Sequence, residues 1–385
     1  MANHALLSGS TAKRWTECTP SARLCEGIED APSPYAEEGS ECHLLGQHKI
    51  ELNHKMPTED PRPGMKYYNQ EMEECSDIYL QVVNEKYADA KKYCKDPVLL
   101  VEAKLDFSRW VKDGYGYGDC IIIADHVIHV IDYKHGAGVL VNAENNTQMK
   151  VYSLAVLDQF GDLYDIDEVC MTIVQPRKDN ISSWTISKDE LLDWADNFLA
   201  PRAELAYEGK GEFKAGPHCQ FCKVKSKCRA RAERNLELAQ HEFKLPDLLE
   251  DTEIAAILDK VDDLVSWAND VKDYALSQAL AGKTYDGYKI VEGRSIRKYT
   301  DEGAVAEAVT AAGFDPYEKK LLGLTAMTQM LGKKKFEEVL GSLTCKPKGK
   351  PVLVPNSDKR PTMTINTAAE DFSENTSEIK GEKIS

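Results

Sequence analysis

The spacing of apolar residues changes character several times along the chain, and each change marks an element. Within Met65–Tyr93, positions Ile78, Val82, Val83 and Tyr87 recur at helical spacing, and Ala36–Leu52 carries a similar pattern. Ser10–Trp15 suggests a short earlier helix, and the prolines of Pro57–Gly64 predict a loop. In Val101–Phe107 apolar and polar residues alternate, the mark of a half-buried strand. Asp113-Gly114 signals a turn, and Cys120–Ala124 is a short β-branched run. Asp125-His126 predicts a tight turn back into Val127–Tyr133, so two or three strands form an antiparallel meander. Thr147–Phe160 returns to helical spacing, Val169–Val174 and Trp184–Ile186 predict strands, and Ser187 with Glu190 forms a capping box for a helix reaching about Tyr207. Helices are further expected over Lys225–His241, ending before Pro246, and over Glu253–Leu280, whose apolar stripe fits a surface or partner-packing helix.

Helices and strands alternating around a central meander predict an α/β or α+β core. The expected segments are 1–35, a core over 36–207, a cysteine-rich and basic stretch over 208–241, a long helix over 246–281, a small α/β appendix over 282–345 and a largely disordered tail over 346–385. No repeat is evident. The longest apolar runs are far below the length of a bilayer span, and the N-terminus lacks a basic n-region. No signal peptide, anchor or membrane partner is therefore expected.

Charge narrows the function classes. The 48 Lys and Arg against 64 Asp and Glu leave −16, which excludes a protein that coats nucleic acid by bulk charge but not one with a local basic groove. Lys210–Arg234 runs against that balance, with Lys223, Lys225, Lys227 and Arg229 candidates for a phosphate track; the plain alternative is a solvated face. The 11 cysteines are odd in number and scattered, which favours a reducing cytosol over a disulfide framework.

Gly118-Asp119 and, thirteen residues on, Asp132-Tyr133-Lys134 carry the strongest chemical signal. Asp119 is expected to start one strand and Asp132 to end its antiparallel neighbour, so both carboxylates meet at one end of the sheet. Asp132 and Lys134, two apart, project from one face. Two carboxylates and an ammonium suit a hard divalent cation, Mg²⁺ or Mn²⁺, with open positions for water and a phosphate oxygen. Lys134 can orient that water or share the charge. Alone, such a pattern is often a solvated pair. Gln148 and Tyr152 share one face of the next helix, and His43 lies one turn after Gly39 on the early helix. Glu102 is expected to be an exposed strand residue, with a supporting carboxylate as the alternative; His129 is given no special role.

The order Gly39-x-x-x-His43, Gly118-Asp119, Asp132-x-Lys134 and Gln148-x-x-x-Tyr152 resembles the RecB-type branch of the PD-(D/E)XK nuclease superfamily over about 110 residues. The resemblance implies a mixed central sheet flanked by helices. It implies His43, Asp119, Asp132 and the Tyr133 carbonyl as metal ligands and Lys134 as the catalytic lysine. Gln148 would position Lys134 or the metal water, and Tyr152 would touch a DNA phosphate.

Cys219-x2-Cys222-x5-Cys228 offers three soft ligands for zinc or an iron–sulfur cluster, with His218 adjacent and no second pair following. AddB-type helicase-nucleases and CRISPR-adaptation exonucleases of the same branch close such a triplet with a cysteine placed before the core, around a [4Fe–4S] cluster. Cys18 sits where that cysteine belongs. Cys25 is the serious rival, and Cys42 is better explained by packing. Cys75, Cys94, Cys120, Cys170 and Cys345 are expected to be structural. With His4–Ser8, Arg14-Trp15 and Cys18, Ala143–Asn146, Gln175–Arg177 and Asp358–Pro361, the chain also resembles, over roughly 1–372, a phage and prophage family with this core. That resemblance implies a DNA recombination or replication setting in the bacterial host cytosol, often beside a single-strand-annealing protein. The functional expectation is a metal-dependent DNA exonuclease with a structural [4Fe–4S] cluster. A Zn²⁺-stabilised endonuclease and a non-catalytic DNA-binding scaffold are the alternatives.

Overall fold

The structure, a computed structural model, describes residues 5–29, 33–237, 250–291, 301–317, 327 and 330–344. The chain divides into one unit over 1–284 and another over 285–385.

The first unit is built on a five-stranded sheet in sequential order: β1 (Val98–Asp106), β2 (Tyr115–Ile123), β3 (His126–Tyr133), β4 (Ile166–Gln175) and β5 (Asn180–Ser187). Neighbours pair antiparallel except β3 and β4, which are parallel. A parallel pair needs a crossover, and the helix over Thr147–Phe160 supplies it. The expected mixed α/β architecture, a sheet flanked by helices, is what the chain forms.

Two helices, α1 (Ala12–Glu17) and α2 (Ser21–Leu24), precede α3 (Pro34–Asn53) and α4 (Gln70–Ala90). The last two cover one sheet face, burying Leu45, Ile50, Tyr79 and Val83 against Cys120, Ile122, Ile131 and Tyr133. On the other face lies α5 (Thr147–Phe160), capped by Asn146, whose Oδ1 accepts the Met149 N–H at 3.3 Å. It joins α6 (Lys188–Trp194), α7 (Ala200–Glu208) and the N-terminal Leu7 and Trp15 over Ile121, Val130 and Met171. The capping box forms, with Glu190 N–H donating to Ser187 Oγ at 3.2 Å and Ser187 N–H to Glu190 at 3.1 Å. The expected single helix to Tyr207 is broken by a π-turn over Ala195–Leu199. Pro201 explains it: without an N–H, the ordinary ladder cannot pass through that position.

Several boundaries differ from the sequence expectation, two of them by five residues or more next to a candidate site. The second strand begins at Tyr115, not Cys120, because Gly116 and Gly118 hide the alternation. The glycines have a reason: a Cβ on Gly116 would stand 2.7 Å from the Tyr152 ring, and one on Gly118 2.7 Å from Leu105. Asp119 is consequently inside β2 and not at its start. The expected Lys225–His241 helix is shorter where described: α8 covers Arg229–Leu236, and residues 238–249, with Pro246, lie outside the described residues. The long helix α9 (Asp251–Leu280) matches its apolar stripe yet buries no residue fully.

In the second unit the described elements are α10 (Glu302–Ala311), α11 (Lys333–Leu340) and a 3-10 turn over Gly341–Leu343. The expected α/β appendix shows no strand among its described residues; Cys345 and the expected tail lie outside them. No helix among the described residues is long and apolar enough to cross a membrane.

Candidate metal centre and cysteine module

The sheet creates the first site by opening a gap. Pairing of β2 with β3 runs from Ile123–Ile128 to Cys120–Ile131 and stops there. Beyond it the Tyr133 N–H has no β2 carbonyl to reach, and the Asp119 carboxylate takes its place, accepting that N–H at 2.7 Å. On the other side, β1 pairs with β2 at Val101–Cys120 and again at Ala103–Gly118, leaving Glu102 opposite Asp119 outside the ladder. Glu102 has a left-handed backbone, φ 47°, unusual for a strand residue. That twist turns its carboxylate toward His43 of α3: His43 Nδ1 lies 3.6 Å from Glu102 Oε1 and 3.5 Å from Asp119 Oδ2.

His43, Glu102 and Asp119 each offer a ligand atom, all within 4.8 Å of one another. Glu102, expected to be an exposed strand residue, belongs to this cluster instead. Nothing in its sequence context signals a left-handed strand position, so periodicity alone could not find it.

Asp132, at the end of β3, is buried, with a side chain 3% exposed. Gln148 Nε2 donates to its Oδ1 at 2.8 Å, and the Lys134 ammonium to the same oxygen at 3.2 Å. Oδ2 lies 2.9 Å from that ammonium but accepts no aligned hydrogen bond, which leaves a buried carboxylate oxygen with free acceptor capacity. Lys134, expected to share a face with Asp132, does so.

Crowded like charges perturb the site. Burial raises the Asp119 carboxyl above the carboxylate range, the His43 imidazole opposes this, and Asp132 adds to it. Burial disfavours a charged His43, yet Asp119 and Glu102 raise it to about 9. Burial likewise opposes the Lys134 charge, and Asp132 and Asp119 outweigh it, so the ammonium is retained. Three carboxylates and an imidazole here share few cations, an arrangement suited to a hard divalent ion.

Tyr152 is placed differently from a phosphate contact on an open surface. It is 4% exposed, with its ring against Gly9 and Gly116. Gly39 faces open space, and Tyr133 stacks on Tyr79 with ring centroids 4.7 Å apart.

The chain belongs to the DUF2800 family, described as a protein of unknown function, which it matches over residues 4–361. One solved structure, titled "Crystal structure of SSO0001", aligns with 57% of this chain and 96% of its own at 13% identity and a TM-score of 0.24.

The second site lies where the two ends of the core meet. Thr19 Oγ1 donates to the Lys210 carbonyl at 2.6 Å, and Arg23 Nε to the Tyr207 carbonyl at 2.6 Å. This stitching brings Cys18, Cys219, Cys222 and Cys228 onto one small cavity of about 20 Å³. Cys25, the rival to Cys18, does not line this cavity, although its sulfur is 3.7 Å from that of Cys222. The neighbouring Cys222 thiol lowers Cys25 well below the ordinary thiol range. Cys219 accepts the Gly216 N–H at 3.3 Å, and His218 is bonded to the Lys214 carbonyl at 2.8 Å. Cys42 instead lies 3.1 Å from the Tyr133 hydroxyl, in the core as expected.

The basic segment is partly neutralised by α9. Lys225 pairs with Asp270 at 2.8 Å, and Arg231, almost fully buried, pairs with the same carboxylate at 2.5 Å. Lys223 donates to the Ile28 carbonyl at 2.6 Å, and Lys227 lies 5.9 Å from the centre of the Tyr274 ring. Arg229 is exposed.

Proposed function

We propose that this chain is a Mg²⁺- or Mn²⁺-dependent deoxyribonuclease of the PD-(D/E)XK type, hydrolysing phosphodiester bonds from a DNA end. One observation carries the reading: His43, Glu102 and Asp119 converge at the break in the β2–β3 pairing, and Asp132, whose charge acts on both His43 and Asp119, has its Oδ2 free to accept a ligand and Lys134 beside it. The donor set is hard and acidic and fits such an ion. His43, Asp119, Asp132 and the Tyr133 carbonyl would hold it, with Glu102 as an added carboxylate. When bound there, a divalent cation would supply Lewis acidity toward water and charge to offset the phosphate.

The chain's own groups do the rest. Gln148 fixes the Asp132 carboxylate and so aims its free oxygen. Lys134 keeps its proton beside Asp132 and can donate to a phosphate oxygen as negative charge builds up. Tyr152 closes the floor beneath Gly9 and Gly116 and acts as a positioning residue.

The cysteine module belongs to the same proposal, as the seat of a structural [4Fe–4S] cluster. A tetrahedral zinc with bonds of about 2.3 Å needs sulfurs about 3.8 Å apart. Cys25 and Cys222, at 3.7 Å, stand close to that spacing, so the choice of a [4Fe–4S] cluster over zinc rests on the resemblance. A phage recombination setting with a single-strand-annealing partner, in the host cytosol, rests on the resemblance alone.

Digestion of end-labelled single- and double-stranded DNA with Mg²⁺, Mn²⁺ or EDTA tests the activity. Stepwise release from an end with either ion, and none in EDTA, is expected. No hydrolysis with either ion, or full hydrolysis in EDTA, would overturn it.

A further inference from the structure

A groove of about 680 Å³ opens beside Lys134 and Gln148. Its walls come from three distant stretches: Lys13 on α1, Leu140 and Glu144 in the loop between β3 and α5, and Phe221 in the turn that carries Cys219 and Cys222. Phe221 is 67% exposed and Leu140 53%. Packing gives no reason to hold a phenyl ring in solvent between two buried cysteines, and large exposed apolar groups at a cleft often mark a binding surface. Lys13 is exposed and forms no ion pair among the described residues.

Two ammonium groups, an amide and exposed apolar side chains in one cleft match the two needs of a single nucleic-acid strand. Phosphates call for cations, and unstacked bases call for an apolar or aromatic platform. A cleft of this volume is in the range that encloses small ligands, enough for a short stretch of one strand. Its floor is continuous with Asp132 through Lys134 and Gln148.

We propose that this groove binds a single DNA strand, with Lys13 on a phosphate and Phe221 stacked on a base. That the strand leads to a hydrolytic centre rests on the nuclease reading; that it binds here does not. The cysteine module thereby forms part of the substrate surface, since the Cys219–Cys222 turn presents Phe221. Glu144 is the one acid among these groove residues and opposes a phosphate there.

The test is fluorescence anisotropy of a fluorescein-labelled oligodeoxythymidylate with the full chain in EDTA at low salt, where no hydrolysis intervenes. Phe221→Ala should weaken binding about tenfold, as loss of one stacked base does. Lys13→Glu should weaken it and flatten the salt slope. Glu144→Gln should tighten binding about threefold, a gain that damaged folding cannot produce. Poly-glutamate, a polyanion that can meet the cations but has no base to stack on Phe221, should compete poorly. Unchanged affinity in both Phe221→Ala and Glu144→Gln overturns the proposal. The two readings fail separately. Binding with these responses, but no hydrolysis by wild type in Mn²⁺, refutes the nuclease alone. Hydrolysis with unresponsive binding refutes the groove alone.

Discussion

The carboxylate centre takes Glu102, Asp119 and Asp132 from three adjacent strands, while the cysteine module joins residues as far apart as Cys25 and Cys222, 197 positions along the chain. The first is held by a sheet that forms whether or not the site is filled. Its crowded carboxylates cost stability, as the raised Asp119 shows. The second closes a long loop, and whatever holds its thiols holds α1 and α2 against the segment after α7. One site is a burden the fold carries, and the other is a staple. Removing a residue should therefore have opposite effects on stability in the two regions.

The largest separation is expected in activity. Asp132→Ala and Lys134→Ala should each lower DNA hydrolysis at least about a thousandfold, because they remove groups that meet the metal or the developing charge. Their far-UV circular dichroism should stay that of wild type. Hydrolysis within tenfold of wild type in Asp132→Ala would dissolve the distinction between the regions.

Stability should separate them next. Asp119→Asn keeps an acceptor for the Tyr133 N–H and removes a charge that burial disfavours. A carboxyl raised in the folded state costs stability at every pH above its unfolded value, so at pH 7 this variant should melt about 2–4 °C higher. Cys18→Ser, Cys219→Ser, Cys222→Ser and Cys228→Ser should each lower both metal content and melting temperature; Cys75→Ser and Cys170→Ser should leave metal content unchanged. Cys25→Ser decides the rivalry with Cys18. If it loses metal while Cys18→Ser keeps it, Cys25 is the ligand.

A smaller contrast lies in acid. His129 is buried in β3 with neither ring nitrogen hydrogen-bonded, and burial lowers it to about 4. A depressed histidine is neutral in the fold but protonates in the unfolded chain below pH 6.5. Stability present above that pH is lost as it falls toward 4, by roughly 3 kcal/mol. His129→Leu should remove this loss, while leaving metal content and hydrolysis unchanged. Urea melts at pH 7 and pH 4.5 measure it, and an unchanged difference between the two pH values in the variant would reject the assignment. The smallest effect is expected from Lys227→Glu and Arg229→Glu, which should flatten the salt slope of DNA binding slightly. Lys225→Glu, by contrast, should lower stability through its partner Asp270.

Sequence made one region more legible than the other, and for physical reasons. The α5 limits, Thr147–Phe160, coincide with the apolar spacing because the helix packs one face on the sheet and is capped by Asn146. Asp119, Asp132, Lys134 and Gln148 could be placed together because strand period and helix period are short-range rules. Glu102 escaped because a left-handed residue inside a strand leaves no periodic trace. The start of β2 escaped because its glycines serve the Tyr152 and Leu105 side chains, a tertiary matter. The choice between Cys18 and Cys25 escaped because both lie on the short α1–α2 stretch that docks against α7, and spacing cannot distinguish them. The pairing of Arg231 is invisible in the basic run because its acidic partners, Asp263 and Asp270, arrive on a helix thirty or more residues later.

The most direct test of the central claim is to titrate Mn²⁺ into the purified chain and follow free Mn²⁺ by electron paramagnetic resonance. Wild type and Asp132→Ala should be compared at pH 7 and pH 9. The account predicts binding in wild type that tightens toward pH 9, because the ion displaces protons from His43 and Asp119 and both are raised. It predicts loss of that binding in Asp132→Ala, with the metal held by the cysteines unchanged. Equal Mn²⁺ binding in wild type and Asp132→Ala would contradict it.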